Sequence, residues 1–260
     1  MGRIYTLVNQ KGGVGKTTTA INLAAALAQM GQRVLLVDLD PQANATSSLG
    51  MDKNKVAGGV YEALVDGASP RDHLLHSPQL KLALLPASPA LAGAEVELVG
   101  MLARETQLRQ ALAAIEANYD YVLVDCPPSL GLLTVNGLVA ARDGVIIPVQ
   151  CEYLALEGLG QLTYTLNRVR AVLHPALEIR GLVMTMYDGR ISLAQQVVEE
   201  VRRHFPGKVF AAIIPRSVRL AEAPSHGVPI SIYAPTSSGA LAYQALAEEV
   251  LKGDRLNAAI

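Results

Sequence analysis

The stretch Asn9-Gln10-Lys11-Gly12-Gly13-Val14-Gly15-Lys16-Thr17-Thr18 constrains this chain most, because it joins an apolar run, Ile4 to Val8, to a helix-forming run, Ala20 to Met30. Strand, glycine loop and helix in that order make a cradle for a nucleotide triphosphate. The glycines let backbone N–H groups turn inward without Cβ clashes, and the following helix offers its positive end. Lys16 then reaches the β- and γ-phosphates and Thr17 sets a hydroxyl on Mg²⁺. The phosphate-contacting set is Lys11, Gly12, Gly13, Val14, Gly15, Lys16, Thr17 and Thr18. The loop is not the common one: Gln10 stands where G-x-x-x-x-G-K-[ST] wants its first glycine, and a second lysine, Lys11, precedes the bunched glycines.

Lys11 has like-charge repulsion from Lys16 to overcome and no acid beside it in the sequence. It is either a solvated loop lysine or a group that reaches a phosphate, one bound by a second subunit included, as an arginine finger does. Beside a phosphate cradle the second reading is the stronger. Here the motif resembles the deviant Walker A sequence of the ParA/MinD family of ATPases. The resemblance implies that Lys11 crosses an interface formed by two monomers around two sandwiched ATP molecules.

Apolar β-type runs alternate with helical patterns along the chain, which predicts an α/β fold: a mostly parallel twisted sheet with helices on both faces. Strands are expected near Ile4–Val8, Val34–Asp38, Leu80–Leu85, Tyr121–Asp125, Gly144–Pro148, Ile179–Tyr187 and Val209–Ile214. Helices are expected over Lys16–Met30, Gly58–Asp66, Thr106–Asn118, Leu130–Ala141, Leu154–His174, Leu193–Phe205 and Gly239–Lys252, with Ala87–Gly100 left unassigned. At 260 residues, 50% hydrophobic and without a Pro/Gly/Ser-rich linker, residues 1–260 read as a single P-loop ATPase domain. No apolar run approaches the roughly 18 residues of a membrane helix, and Lys11 and Lys16 interrupt any leader, so a cytoplasmic protein with no membrane partner is expected. Cys126 and Cys151 read as reduced core thiols.

Ligands of open α/β sheets bind at the carboxyl edge, and two apolar strands end there in acids. Asp125 closes Val122-Leu123-Val124 and is of Walker B type, suited to hold Mg²⁺ through water. In Asp38-Leu39-Asp40-Pro41-Gln42, Asp40 lies past the strand and before a proline, placed to face the γ-phosphate and orient the attacking water. The resemblance assigns hydrolysis to Asp40 and support of the metal to Asp38. The metal set is then Thr17, Asp38, Asp40 and Asp125, and the catalytic set Lys11, Lys16 and Asp40. Ala43 departs from the glycine usual in the family's D-P-Q-G-N. By the same resemblance Met186 and Pro215 flank the adenine; ATP is expected over GTP because no N-K-x-D signature follows a strand.

Asp125-Cys126-Pro127-Pro128, Pro148-Val149-Gln150-Cys151-Glu152-Tyr153 and Arg219-Leu220-Ala221-Glu222-Ala223-Pro224 are similar to the chromosomal, Soj-type branch of the family, over nearly the whole chain. That branch implies an ATP-dependent homodimer, nonspecific double-stranded DNA as ligand, a nucleoid-associated location and a ParB-type centromere-binding partner that stimulates slow hydrolysis. A net charge of −1 excludes a globally basic surface, so DNA contact has to be a local patch; the candidates are Arg190, Arg216 and Arg219. The rivals are a MinD-like cell-division ATPase, which wants a basic amphipathic C-terminal helix where Leu246–Ile260 carries mixed charge, and a nitrogenase-iron-protein-like reductase using Cys126 and Cys151.

Overall fold

The computed structural model describes residues 2–77 and 80–257, and the side chain of Asn257 is not among what it describes. Eight strands form one sheet in the order β3-β4-β2-β5-β1-β6-β7-β8. They are β1 (Arg3–Leu7), β2 (Val34–Asp38), β3 (Leu75–Ser77), β4 (Leu82–Leu85), β5 (Tyr121–Asp125), β6 (Gly144–Gln150), β7 (Ile179–Tyr187) and β8 (Val209–Pro215). Only the β3–β4 pairing is antiparallel; the other neighbours run parallel, as near-continuous apolar strands covered on both faces require. The helices are α1 (Lys16–Gln29), α2 (Asn44–Ser48), α3 (Leu91–Glu97), α4 (Gln107–Ala113), α5 (Leu132–Ala140), α6 (Ala155–Val172), α7 (Ser192–His204), α8 (Val218–Glu222), α9 (Ile230–Tyr233) and α10 (Ser238–Asn257).

Strand alternation sorts the core. Tyr5 and Leu7 of β1, Leu36 of β2 and Leu123 of β5 pack with α1 and α10, whereas Ile4, Leu35, Val122 and Val124 pack against the α3, α4 and α5 side. The same alternation carries Asp38 and Asp125 to the α1 side of the sheet, directly above the loop that precedes α1. Of the two, Asp125 interacts with Lys16 and Thr17 at the end of that loop.

The seven expected strands are present, Val34–Asp38, Tyr121–Asp125 and Ile179–Tyr187 with the expected bounds and the others with one or both ends displaced by one or two residues. Leu80–Leu85 begins only at Leu82, because Lys81 adopts a left-handed φ of 53°. β3, three residues long, is too short to show alternation and was not foreseen. The predicted helix Gly58–Asp66 contracts to a π turn over Glu62–Asp66. Its first residues are drawn into extended contacts: Gly59 N donates to Glu62 Oε2 and Val60 N to Pro86 O. Thr106–Asn118 divides into α4 and a short 3₁₀ turn, and Ala87–Gly100 contains α3 and a 3₁₀ turn over Leu98–Gly100, with Leu91, Ala94 and Leu98 buried at helical spacing. Of the C-terminal stretch, Ala258–Ile260 lie outside the described residues. Among the described residues no helix is long and apolar enough to cross a membrane.

At the amino edge of the sheet α10 is fastened by a buried carboxylate. Asp254 Oδ1 accepts from Tyr5 Oη at 2.6 Å and Arg180 Nε at 3.1 Å, and Oδ2 accepts from Tyr121 Oη at 2.9 Å. Asp254→Ala leaves the Arg180 cation buried beside two unpaired phenols, so a loss of about 3–5 kcal/mol is expected in urea denaturation. A loss below about 1 kcal/mol, the scale of an exposed pair, would show that α10 docks by apolar packing alone.

Candidate functional site

The phosphate loop opens onto the carboxyl edge of the sheet. Gly13 and Gly15 have φ of 75° and 88°, conformations that suit glycine, and a Cβ on Gly12 or Gly13 would meet nothing within 4 Å. The loop is shaped by side chains outside it. Asn9 Nδ2 donates to Pro148 O and Asn9 Oδ1 accepts from Lys11 N, Thr185 Oγ1 donates to Val14 O, and Gln10, the residue in place of the usual first glycine, donates to Gln161 Oε1 at 2.6 Å. A cavity of about 340 Å³ lies in front of it, lined by Gly12, Gly13, Lys16, Thr17, Asp40 and Asn44 among others. Lys16 is buried, and desolvation pulls its pKa below the ordinary lysine value while Asp125, Cys126 and Asp40 pull it back.

A second cavity of about 230 Å³ adjoins the first, since Gly15, Thr18 and Met186 line both. Its walls are mainly apolar: Met186, Ile214, Pro215, Leu220 and Tyr243. Met186 and Pro215 are thus brought together as expected for a flat ring, and Met186 sits there with a left-handed φ of 52°. Tyr243, from α10, was missed by sequence reasoning because no motif marks it; its hydroxyl lies 3.2 Å from Thr19 Oγ1. One polar cavity joined to one apolar cavity through a glycine loop matches the two halves of a nucleotide. A larger hollow of about 650 Å³ lies elsewhere, beside Arg33, Arg71, Lys81 and Tyr119 at the amino edge, but no glycine or carboxylate lines it.

Asp38 and Asp125 are register partners on adjacent strands and both are fully buried. Asp38 Oδ2 accepts from Thr46 N at 2.8 Å and Thr46 Oγ1 at 2.7 Å, and Oδ1 accepts from Asp40 N at 3.3 Å. Burial lifts its pKa to about 6 against the lowering effect of those bonds. Neither Asp38 nor Asp125 lines the phosphate cavity directly; Asp38 fastens the segment from Asp40 to Thr46. Asp125 is the opposite case. Burial first, then Asp38, push its pKa well above the usual carboxylate range; the Thr17 hydroxyl faces it, yet neither oxygen has a hydrogen bond of acceptable geometry. A buried carboxylate without a donor suits a cation. Among the described residues no cluster of three or more His, Cys, Asp or Glu can hold a metal, so Thr17 and Asp125 would hold Mg²⁺ together with water and phosphate oxygens, as that ion prefers.

Asp40 lines the cavity with Lys16, and its Oδ1 accepts from Gln42 N at 2.9 Å. Lys11 does not line its own cavity. Its Nζ lies 3.3 Å from Glu152 Oε2, with 36% of the side chain exposed. Glu152 Oε1 is held by Gln150 Nε2 at 2.6 Å and lies 3.8 Å from Arg216. Arg190 pairs with Asp188 and Arg219 with Glu222, so each candidate DNA arginine stands beside a carboxylate. Cys126 and Cys151 are buried free thiols whose pKa values burial raises, Cys126 completely enclosed against Gly137.

Comparison with known proteins agrees with this geometry. The family described as "AAA domain" matches residues 2–179. The chain is 55% identical to the sporulation initiation inhibitor protein Soj of Bacillus subtilis, over 96% of this chain and 98% of that one. It is 57% identical to the chromosome-partitioning ATPase Soj of Thermus thermophilus, over 96% and 95%. The crystal structure of cobyrinic acid a,c-diamide synthase from Mycobacterium smegmatis with bound ADP and magnesium has 40% identity and a TM-score of 0.87, covering 98% of this chain and 96% of that one. The glycine loop, the paired strand-end carboxylates and this degree of identity over nearly the full length place the chain in the ParA/Soj family of chromosome-partitioning ATPases.

Proposed function

We propose that residues 1–260 act as one ATPase unit that pairs through two ATP molecules, grips double-stranded DNA without sequence preference while paired, and releases it after slow hydrolysis stimulated by a ParB-type partner at the nucleoid. The observation that carries this reading is Lys11: a lysine of the phosphate loop that stands outside its own phosphate cavity, rests on Glu152 and remains accessible to another molecule. A cation so placed suits a phosphate held by a second copy. Partition is favoured over the diamide synthesis named for the structural relative at 40% identity, because the relatives at 54% and 57% are chromosome-partitioning proteins by name.

In this reading the chain's own groups divide the work. The loop N–H groups and Lys16 hold the phosphates, the apolar cavity at Met186 and Pro215 takes the adenine, and Thr17 with the unpartnered Asp125, supported by Asp38 and Asp40, would hold the metal with water. Mg²⁺, when bound, neutralises charge on the β- and γ-phosphates. Asp40, fixed by Gln42 N on one oxygen, orients the attacking water. Lys11 leaves Glu152 to neutralise phosphate across the interface. No arginine finger stands in the motif, and finger-type assistance is worth ~10³ to 10⁵ in rate, so turnover without a partner is slow. Arg190 and Arg219, doubled in the pair, supply about four phosphate contacts, which corresponds to a log–log salt slope of about −3.6 and a Kd of roughly 10⁻⁴ to 10⁻⁶ M.

Calorimetry on Lys16→Ala is expected to show loss of ATP binding, since the loop's buried phosphate cation is gone, whereas Lys11→Ala keeps ATP but stays monomeric in light scattering. An ATP-dependent dimer of Lys11→Ala would end the cross-subunit role. Asp40→Ala is expected to bind ATP, to hydrolyse it at least ~10²-fold more slowly and to accumulate as a DNA-bound dimer. The deciding experiment is binding to random-sequence duplex with ATP, with ADP and without nucleotide across a salt series. Binding only with ATP, weakened steeply by salt, is the expected result; equal binding in all three states would sink the switch.

A further inference from the structure

The three candidate DNA arginines are not free cations, and two of them share one construction. Asp188 Oδ1 accepts from Arg190 Nε at 2.9 Å and from Arg190 N at 3.0 Å, and Oδ2 accepts from Nη2 at 2.6 Å. The aspartate side chain is only 16% exposed and is tied to the backbone of its own turn, while the arginine is 90% exposed. The acid is therefore the fixed partner and the guanidinium the movable one. At Arg219 a looser version occurs: Glu222, 41% exposed beside an arginine 62% exposed, accepts on Oε2 from Tyr233 Oη at 2.9 Å, which anchors it, and from Arg219 Nη1 at 3.4 Å, with Arg219 lying over the Tyr233 ring. Arg190 and Arg219 follow neighbouring strands, β7 and β8, whose ends are stitched by Arg216 N donating to Tyr187 O. Both pairs thus belong to one edge of the sheet, and each acid cancels the charge of the residue expected to hold DNA.

We propose that Asp188 and Glu222 are built-in competitors of the DNA phosphate, so that this surface grips DNA by exchanging carboxylate for phosphate at Arg190 and Arg219. The proposal rests on the DNA-binding reading above and adds residues to it. An anchored acid beside an exposed arginine keeps the monomer's edge near neutral, in keeping with a net charge of −1, and lowers its affinity for any polyanion. Each phosphate contact has to repay the loss of an ion pair. Two copies presenting four such arginines in register then succeed where one copy fails, which sharpens the dependence on pairing.

Asp188→Asn with Glu222→Gln removes both charges while keeping an acceptor for Arg190 N and for Tyr233 Oη, so the local turns survive. Binding of the full chain to random-sequence duplex, with a slowly hydrolysed ATP analogue, is expected to tighten several-fold at low salt. The advantage shrinks as salt rises, because salt already screens the resting pairs in the wild type. With Arg190→Ala and Arg219→Ala present, at a salt low enough for residual binding to be read, the same two substitutions are expected to change nothing, a result that simple removal of negative charge from the surface would not produce. The single variants are read in the same way, one pair at a time. If the wild type binds DNA only with ATP and the double variant binds equally or more weakly, the acids are positioning aids or bystanders and the exchange is wrong. If the wild type binds no DNA with ATP in the roughly 10⁻⁴ to 10⁻⁶ M range of nonspecific binding, the DNA reading falls first and takes the exchange with it.

Discussion

Two carboxylates, Asp38 and Asp125, are buried side by side at the ends of paired strands, and most of the site follows from that repulsion. Neither can be left alone in a low-dielectric setting, and each is handled in its own way. Asp38 gains the Thr46 N–H and hydroxyl; Thr46 Oγ1 in turn accepts from Ala87 N at 3.0 Å. That chain of bonds pins the segment carrying Asp40. Asp125 has no donor in acceptable geometry and keeps a strongly raised pKa, relieved in part by Thr17 and Lys16. The unfavourable state of Asp125 without a cation and the phosphate loop's need for an anion are complementary. A metal nucleotide satisfies both at once, which couples nucleotide occupancy to the stability of the sheet edge.

The parts of this arrangement legible in the sequence were those carried by repeated local pattern. Alternating apolar runs gave seven strands, and the glycine loop gave the cradle, because both reflect forces acting within a few residues. The π turn at Glu62–Asp66 was misread as a helix for the converse reason: its helical apolar spacing is overridden by bonds to Glu62 and to Pro86, a residue more than twenty positions away. The metal-support role of Asp38 came from the resemblance alone, and its bonds to Thr46 are announced by no pattern in Asp-Leu-Asp-Pro-Gln. Tyr243 and Glu152 were invisible as site residues for the same reason. They reach the site from other elements, and their contribution exists only once the chain is folded.

Lys11 looked unpaired in the sequence because Glu152 lies far along the chain. The fold supplies the missing acid, and in doing so alters the argument for an anion. A lysine with no partner would seek any phosphate; a lysine on Glu152 leaves only for one that offers more. The pair is partly exposed, and exposed pairs contribute ~0 to 1 kcal/mol, so the hold is weak enough to be exchanged. Arg190 and Arg219 repeat that relationship at the neighbouring strands. Lys11, Arg190 and Arg219 thus each rest on a carboxylate of the same chain.

Ala43 shows how the pinned segment tolerates a departure from the family's glycine. Its φ of 52° is left-handed, where a Cβ costs about 1–2 kcal/mol. The residue is fully buried and packs with Leu39 and Val60, so its methyl adds contacts that a glycine lacks. Burial of one methyl returns about 0.8 kcal/mol, close to the lower end of that strain. The remainder is borne by the Asp38–Thr46–Ala87 bonds, which over-determine the backbone on the far side of the turn, and by Ala43 N donating to Asp40 O at 2.8 Å. Glycine here would loosen the loop in the unfolded chain and in any state where Asp38 lets go of Thr46. The alanine is thus tolerated by its burial and by the bonds around it, which hold the segment that carries Asp40 in spite of the residual strain.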